Sequence, residues 1–111
     1  MGFSEDFAGR IREQLADETG VAEKAMFGGL AFLLSGNMAV GISNGGELIV
    51  RVGPEGTDDA LARPHTRLFD VTGRPMKGWI AVAPEGVRTE RQLGAWVTRG
   101  VGFARTLPPK G

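Results

Sequence analysis

The feature that most constrains this chain is a long stretch without charge, residues 25–46, between Lys24 and Glu47. Its length suits a membrane span, which needs about 20 consecutive apolar residues. Six glycines, two asparagines and two serines interrupt the stretch, however, and its longest apolar run is only five residues. We therefore interpret it as buried strands joined by turns, and we predict no membrane span.

The order of residues within this stretch predicts a β-meander. Residues 25–34 are apolar at nearly every position, which gives no helical stripe. Residues 35–37 and 44–46 are rich in glycine and asparagine, which tolerate the positive φ of tight turns. Between them Met38, Val40 and Ile42 alternate with smaller residues, as in a strand with one bulky face. Residues 47–52 add a third strand.

The flanking segments predict helices. Ser4 can cap a first helix, in which Phe7, Ile11 and Leu15 recur every four residues and Gly20 marks the end. Pro54 and Pro64 bracket a short second helix. A final helix follows a cap at Thr89, and its apolar face consists of Leu93, Trp96, Val97, Val101 and Ala104.

Two further strands, at 68–71 and 77–82 around a turn at 72–75, complete the predicted order α-β-β-β-α-β-β-α. Hairpin-length connections make neighbouring strands antiparallel. We therefore predict one two-layer α+β domain over residues 1–111, with its core at about 5–104 and helices packed on an antiparallel sheet of about five strands.

Composition argues against several classes of site. The chain has no cysteine, and its single histidine, His65, falls in a predicted loop. Neither a phosphate-binding glycine loop before a helix nor a dinucleotide-binding motif occurs. We therefore predict no catalytic residues, no metal site and no cofactor, and thus a protein that is not an enzyme. The polar, acidic beginning lacks the pattern of a signal peptide, so we expect a cytoplasmic location.

Charge is distributed unevenly along the chain. Ten of the 13 acidic residues lie in residues 1–62, and nine of the 13 basic residues lie in residues 63–111. One interpretation is that the two halves neutralise each other when they pack together. The other is a basic surface that faces an acidic partner or nucleic acid.

Four arginines are candidates for a partner or nucleic-acid surface. Arg51 interrupts an apolar strand, where it either faces solvent or binds a partner. Arg88, Arg91 and Arg99 cluster on one side of the final helix, opposite its apolar face. Both tryptophans, Trp79 in a strand and Trp96 on that apolar face, are expected to pack in the core.

Several short motifs, in this order and spacing, resemble the N-terminal domain of the TfoX family. The motifs are a Lys-x-Met-Phe-Gly-Gly opening, a Gly-x-Met turn and strand, a Leu-x-x-(Lys/Arg) strand, and an aromatic strand that ends in Pro-Glu. In this chain they fall on Lys24, Met26, Phe27, Gly28 and Gly29, on Gly36 and Met38, on Leu48 and Arg51, and on Trp79, Pro84 and Glu85. One departure is that the chain has no tyrosine, whereas the family often has one near the position of Trp79.

The resemblance implies a compact two-layer α+β domain, in which the first and last of these motifs are structural. In longer family members the domain precedes a helix-hairpin-helix-like domain, which we expect to be absent here, and some of those proteins regulate natural competence. The resemblance implies no established activity for the domain alone.

We therefore expect a non-enzymatic regulatory module, related to transcription or competence, that acts through a protein partner as a monomer or homodimer. The alternatives are nucleic-acid binding through the basic final helix, and a small-molecule or unrecognised enzymatic site beneath the sheet or beside Arg51.

Overall fold

The computed structural model describes residues 4–26, 28–70 and 73–109, and within them the chain forms an α+β fold. Six antiparallel strands form one sheet in the order β1-β2-β3-β4-β6-β5. The strands are β1 (Val21–Met26), β2 (Gly29–Leu34), β3 (Asn37–Ile42), β4 (Leu48–Arg51), β5 (Thr66–Asp70) and β6 (Pro75–Val82). The helices are α1 (Glu5–Gln14), α2 (Thr57–Leu61) and α3 (Glu90–Ala104), with a 3-10 turn at Pro84–Val87 before α3.

The predicted fold class is confirmed, with one strand more than expected. The additional strand is β1, which pairs with β2 and forms an edge of the sheet. Every residue of β1 is exposed except the half-buried Met26. An edge strand of this kind tolerates charges such as Glu23 and Lys24, so it shows no apolar alternation in the sequence. The single strand predicted at 25–34 is therefore the end of β1 followed by β2.

The uncharged stretch forms hairpins, as predicted. Ser35 and Gly36 both have positive φ, at 50° and 86°, in the turn between β2 and β3. Gly28 has a φ of 79° in the turn between β1 and β2. A side chain at Gly29 would collide with the carbonyl oxygen of Ile42, so this glycine permits close approach of β3. Val71 and Thr72, in the predicted strand end and turn, lie outside the described residues.

All three helices pack on the same face of the sheet. Burying one large aliphatic or aromatic side chain there contributes about 1.5–3 kcal/mol, so this layer is the main source of stability. The buried cluster combines Ala8 and Ile11 of α1, Leu15 just after it, Ala60 of α2, and Leu93, Trp96 and Val97 of α3 with Phe32, Val40, Leu48, Val50, Ile80 and Val82 of the sheet.

Residues in and next to α1 and α3 explain where these two helices begin and how closely α3 packs on the sheet. The Ser4 hydroxyl accepts a hydrogen bond from the Phe7 amide, and Thr89 and Gln92 form a reciprocal capping box at the start of α3. A Cβ at Gly100 would lie 2.5 Å from the carbonyl oxygen of Ala39, which brings the backbones of α3 and β3 into close contact.

Ion pairs join the acidic and basic halves of the chain, as the first interpretation of the charge pattern predicts. Three arginines of the second half pair with carboxylates of the first, and one pair has the opposite sense. The pairs are Arg67–Glu47, Arg99–Asp59, Arg105–Glu18 and Arg10–Glu90. Among the described residues, none of the helices has the length and apolar character needed to cross a membrane.

Candidate functional site

The face of the sheet opposite the helices carries apolar side chains that no described helix covers. Side chains alternate between the two faces of a strand, so Ile49 lies on this face while Leu48 and Val50 enter the core. In β6, Trp79 likewise faces away from the helices while Ile80 is buried beneath them. The expected core position of Trp79 is therefore wrong, because its strand sends the neighbouring residue into the core instead.

A groove of about 540 Å³ runs across this face. We call it the open groove and define it by the apolar side chains of Met26, Met38, Ile49, Phe69, Met76 and Trp79. These side chains come from five strands, β1, β3, β4, β5 and β6. Three of the six are methionines, whose flexible, polarizable side chains adapt to differently shaped partners.

One ion-pair network forms the polar rim of the open groove. Arg67 donates to Glu47 at 2.5 Å and to Asp70 at 3.2 Å. The hydrogen bond with Glu47 is the main cause that raises the pKa of Arg67 above its ordinary value. Both carboxylates therefore already accept hydrogen bonds from a cation of the same protein.

Arg51 lies at the end of β4, beside the open groove. Its guanidinium carbon is 4.9 Å from the centre of the Trp79 ring and 5.5 Å from that of Phe103. Both distances are within the range of cation–π attraction. Arg51 is half-buried and therefore packs between two aromatic rings of the protein.

A second groove, of about 380 Å³, lies on the helix side of the molecule, beside α3. We call it the Trp96 groove and define it by Arg63, His65, Gly86, Arg91, Gln92, Trp96 and Arg99. The Arg99 guanidinium stacks 5.4 Å from the centre of the Trp96 ring and donates to Asp59 at 2.5 Å. That hydrogen bond is the main cause that lowers the pKa of Asp59.

The structure brings only part of the predicted arginine surface together. Arg91 and Arg99 share the Trp96 groove, whereas Arg88 and Arg51 are not among its lining residues. The prediction missed Arg63 and His65, which reach the groove from the loop after α2. The only local signal for that loop is Pro64, which ends the preceding helix.

Neither groove has the donor set of a metal centre. In the described part of the chain, no three histidine, cysteine, aspartate or glutamate side chains come together in a metal-binding arrangement. The open groove is an apolar surface with an ion-paired rim, and the Trp96 groove is a small concave surface with several cations.

The model of the TfoX N-terminal domain family matches residues 13–104 of the 111-residue chain. The chain belongs to this family. A search of curated proteins finds no match. In this TfoX N-terminal domain several motif residues lie in strands and turns. Lys24 and Met26 lie in β1, Gly28 and Gly29 lie at the first hairpin, and Pro84 begins the 3-10 turn. Phe27 lies outside the described residues.

Three motif residues of the TfoX N-terminal domain, Met26, Met38 and Trp79, line the open groove. They lie in β1, β3 and β6, which are the first, third and fifth strands in the order of the sheet. The motifs that identify the family therefore contribute to this face as well as to the turns.

Proposed function

We propose that this TfoX N-terminal domain is a non-enzymatic regulatory module that acts in the cytoplasm by binding a protein partner in the open groove. The observation that carries the proposal is an apolar groove on a sheet face that no described helix covers. Apolar patches rimmed by polar groups are typical of protein-binding surfaces.

The character of the rim favours an apolar protein segment as the occupant. Glu47 and Asp70 both pair with Arg67, so each charged group at the rim already has a partner within the protein. The groove floor instead offers the half-buried side chains of Met38 and Trp79. A segment with large aliphatic or aromatic side chains can bury them against this floor, and the methionines can adjust to their shape.

The same ion pairs support a non-enzymatic role. A general base needs a carboxylate that is free to accept a proton from the substrate. Both carboxylates at the open groove accept hydrogen bonds from Arg67. We propose a role in transcription or competence on the strength of the family resemblance, with the partner supplying the regulatory output.

A groove variant and a matched control test this proposal. Met76 is half-buried in the open groove, and Met76→Glu places a charge there. Thr98 is exposed on α3, and Thr98→Glu adds the same charge on the helix side. Each tagged protein is used to capture partners from lysate, and the captured proteins are quantified by mass spectrometry.

We expect a partner that binds the wild type and Thr98→Glu but not Met76→Glu. With the purified partner, Met76→Glu should weaken binding by about tenfold or more, as for a central interface residue. Circular dichroism and thermal unfolding verify that both variants are folded. A partner that binds Met76→Glu as tightly as the wild type would show that the open groove is not the binding surface.

A further inference from the structure

The Trp96 groove has a one-sided charge. Its lining includes three arginines, Arg63, Arg91 and Arg99, together with His65, and contains no aspartate or glutamate. The groove is concave and lies within the range of volumes of small-molecule sites. Because its cations come from α3 and from the separate loop after α2, only the folded chain brings them together.

The acidic residues nearby do not neutralise this charge completely. Glu90, at the start of α3, accepts hydrogen bonds from Arg10 and Gln14. Asp59 pairs with Arg99. Among the described residues, neither Arg63 nor Arg91 has a carboxylate within ion-pair distance.

The loop that carries Arg63 and His65 is held in place by hydrogen bonds. The Thr66 hydroxyl donates to the carbonyl of Arg63 at 2.8 Å, and the Ala83 amide donates to the carbonyl of His65 at 2.9 Å. His65 has a φ of 66°, an uncommon conformation outside glycine. A Cβ at Gly86 would lie 3.2 Å from the Cβ of His65, so this glycine allows the loop to approach the 3-10 turn closely.

We propose that the Trp96 groove binds the phosphate group of a small phosphorylated molecule. Arg63 and Arg91 supply charged donors to the phosphate oxygens, as guanidinium groups commonly do. The Gln92 side chain accepts from the Thr89 amide through its oxygen, which leaves its NH2 group as a further donor. The largely buried Trp96 borders the groove with the small exposed part of its ring, beside the Arg99 guanidinium.

Arg99 has a different role from Arg63 and Arg91, because its guanidinium already forms an ion pair with Asp59. An anion in the groove competes with the Asp59 carboxylate for the Arg99 guanidinium. Asp59 therefore weakens binding, and its removal should strengthen it. A gain of affinity is a sharper criterion than a loss, since a damaged fold produces only losses.

The arrangement of the arginines favours a small ligand over a nucleic acid. Polymer binding depends on several phosphate contacts along a continuous track. Here the cations converge on one concavity, and Arg51 and Arg88 lie outside its lining. We therefore assign the groove to one phosphate or diphosphate group.

The test is a titration of the full-length, ¹⁵N-labelled chain with inorganic pyrophosphate, followed by NMR at the indole N–H of Trp96 and the side-chain Nε–H of Arg91 and Arg99. We expect the NMR signals to shift saturably as pyrophosphate is added. Relative to the wild type, the affinity for pyrophosphate should fall by about fivefold or more in Arg91→Ala and rise by about threefold or more in Asp59→Asn. Arg88→Ala is the matched control, because it removes an exposed arginine outside the groove, and its affinity should equal that of the wild type.

Any one of the following results would overturn the proposal. The first is the absence of shifts up to about 10 mM pyrophosphate, a concentration that detects even weak binding. The second is an Arg88→Ala variant as impaired as Arg91→Ala, or an Asp59→Asn variant with no gain. The third is tighter binding of a single-stranded DNA of about 20 nucleotides than of pyrophosphate, with shifts at the same NMR signals and a steep salt dependence. That result would assign the groove to nucleic acid.

Discussion

Arg51 and Trp79 lie directly opposite each other on β4 and β6, with the guanidinium carbon 4.9 Å from the ring centre. A second ring, Phe103 of α3, lies 5.5 Å from the same carbon. No carboxylate within the described residues forms an ion pair with Arg51. The charge that interrupts an apolar strand is therefore stabilised by aromatic faces, which link the end of β4 to both β6 and α3.

This relationship predicts an energetic coupling between Arg51 and Trp79. Arg51→Leu should lower the free energy of unfolding by about 1 kcal/mol, and Arg51→Lys by less, because lysine keeps the charge but loses the planar stacking. A double-mutant cycle with Trp79→Leu, measured by urea unfolding, should give a coupling of about 0.5–1 kcal/mol. Additive effects of the two substitutions would show that the stacking contributes nothing.

Two glycines of α3 should respond in opposite ways to alanine. Both gain about 1 kcal/mol of intrinsic helix stability from the substitution. At Gly100 the new Cβ would lie 2.5 Å from the carbonyl oxygen of Ala39, whereas at Gly102 no atom lies within 4 Å. Gly100→Ala should therefore destabilise the fold by about 1–3 kcal/mol, and Gly102→Ala should stabilise it by about 0.5–1 kcal/mol. Chemical unfolding of the two variants measures the difference, and equal effects would contradict the close packing of α3 on β3.

Acid should remove the stabilising effect of the Arg12–Glu23 pair, which joins α1 to β1. Arg12 donates twice to Glu23, at 2.7 and 2.9 Å, and these hydrogen bonds hold the pKa of Glu23 below its ordinary 4.5. A carboxylate whose pKa is lowered by folding stabilises the protein above its unfolded pKa, and this effect is lost as the pH falls through the folded pKa.

At about pH 7 the melting temperature of Glu23→Gln should therefore be lower than that of the wild type. This difference in melting temperature should shrink as the pH falls below about 4.5. Thermal unfolding across this pH range measures it. Glu13→Gln is the control, because Glu13 is exposed next to Arg12 on α1 and forms no ion pair with any described residue. A difference for Glu23→Gln that persists unchanged in acid would exclude the ion pair as its cause.

The segment after α3 should depend on Asn37 for its attachment. The side chain of Asn37 is buried, and its Nδ2 donates to the carbonyl of Pro108 at 2.9 Å. Asn37→Ala should cost about 1 kcal/mol and accelerate tryptic cleavage after Arg105, because the segment loses this hydrogen bond. Ser43→Ala removes a hydrogen bond to the Glu47 amide in a distant turn and serves as the control. Equal cleavage rates in the two variants would show that Asn37 does not hold the segment.

Local chemistry allowed much of the fold to be predicted. Ser4 and Thr89 cap helices as expected, and the apolar stripe of α3 enters the core. These features depend on residues close together in the chain. The position of Trp79 could not be predicted in the same way, because alternation assigns residues to two faces without showing which face the helices cover.

The candidate sites, like the fold, combine features that the local sequence predicts with features that it does not. Arg91 and Arg99 are eight residues apart on one helix, so helical geometry predicts that they lie on the same side of it. Arg63 and His65 join them only through the packing of the loop after α2 against the 3-10 turn. The open groove likewise assembles side chains from five strands. Long-range packing of this kind leaves no local pattern in the sequence.

The strand order has a consequence for how the chain folds. Strands β1 to β4 follow one another in sequence and in the sheet, so hairpins can form them while the rest of the chain is still disordered. Strand β6, by contrast, is inserted between β4 and β5, and it reaches β4 only after α2 and β5 have been synthesised. Until that insertion occurs, the apolar β4 presents an unpaired edge. The pairing of β4 with β6 is thus the long-range event that ends the period in which the nascent chain is most exposed to aggregation.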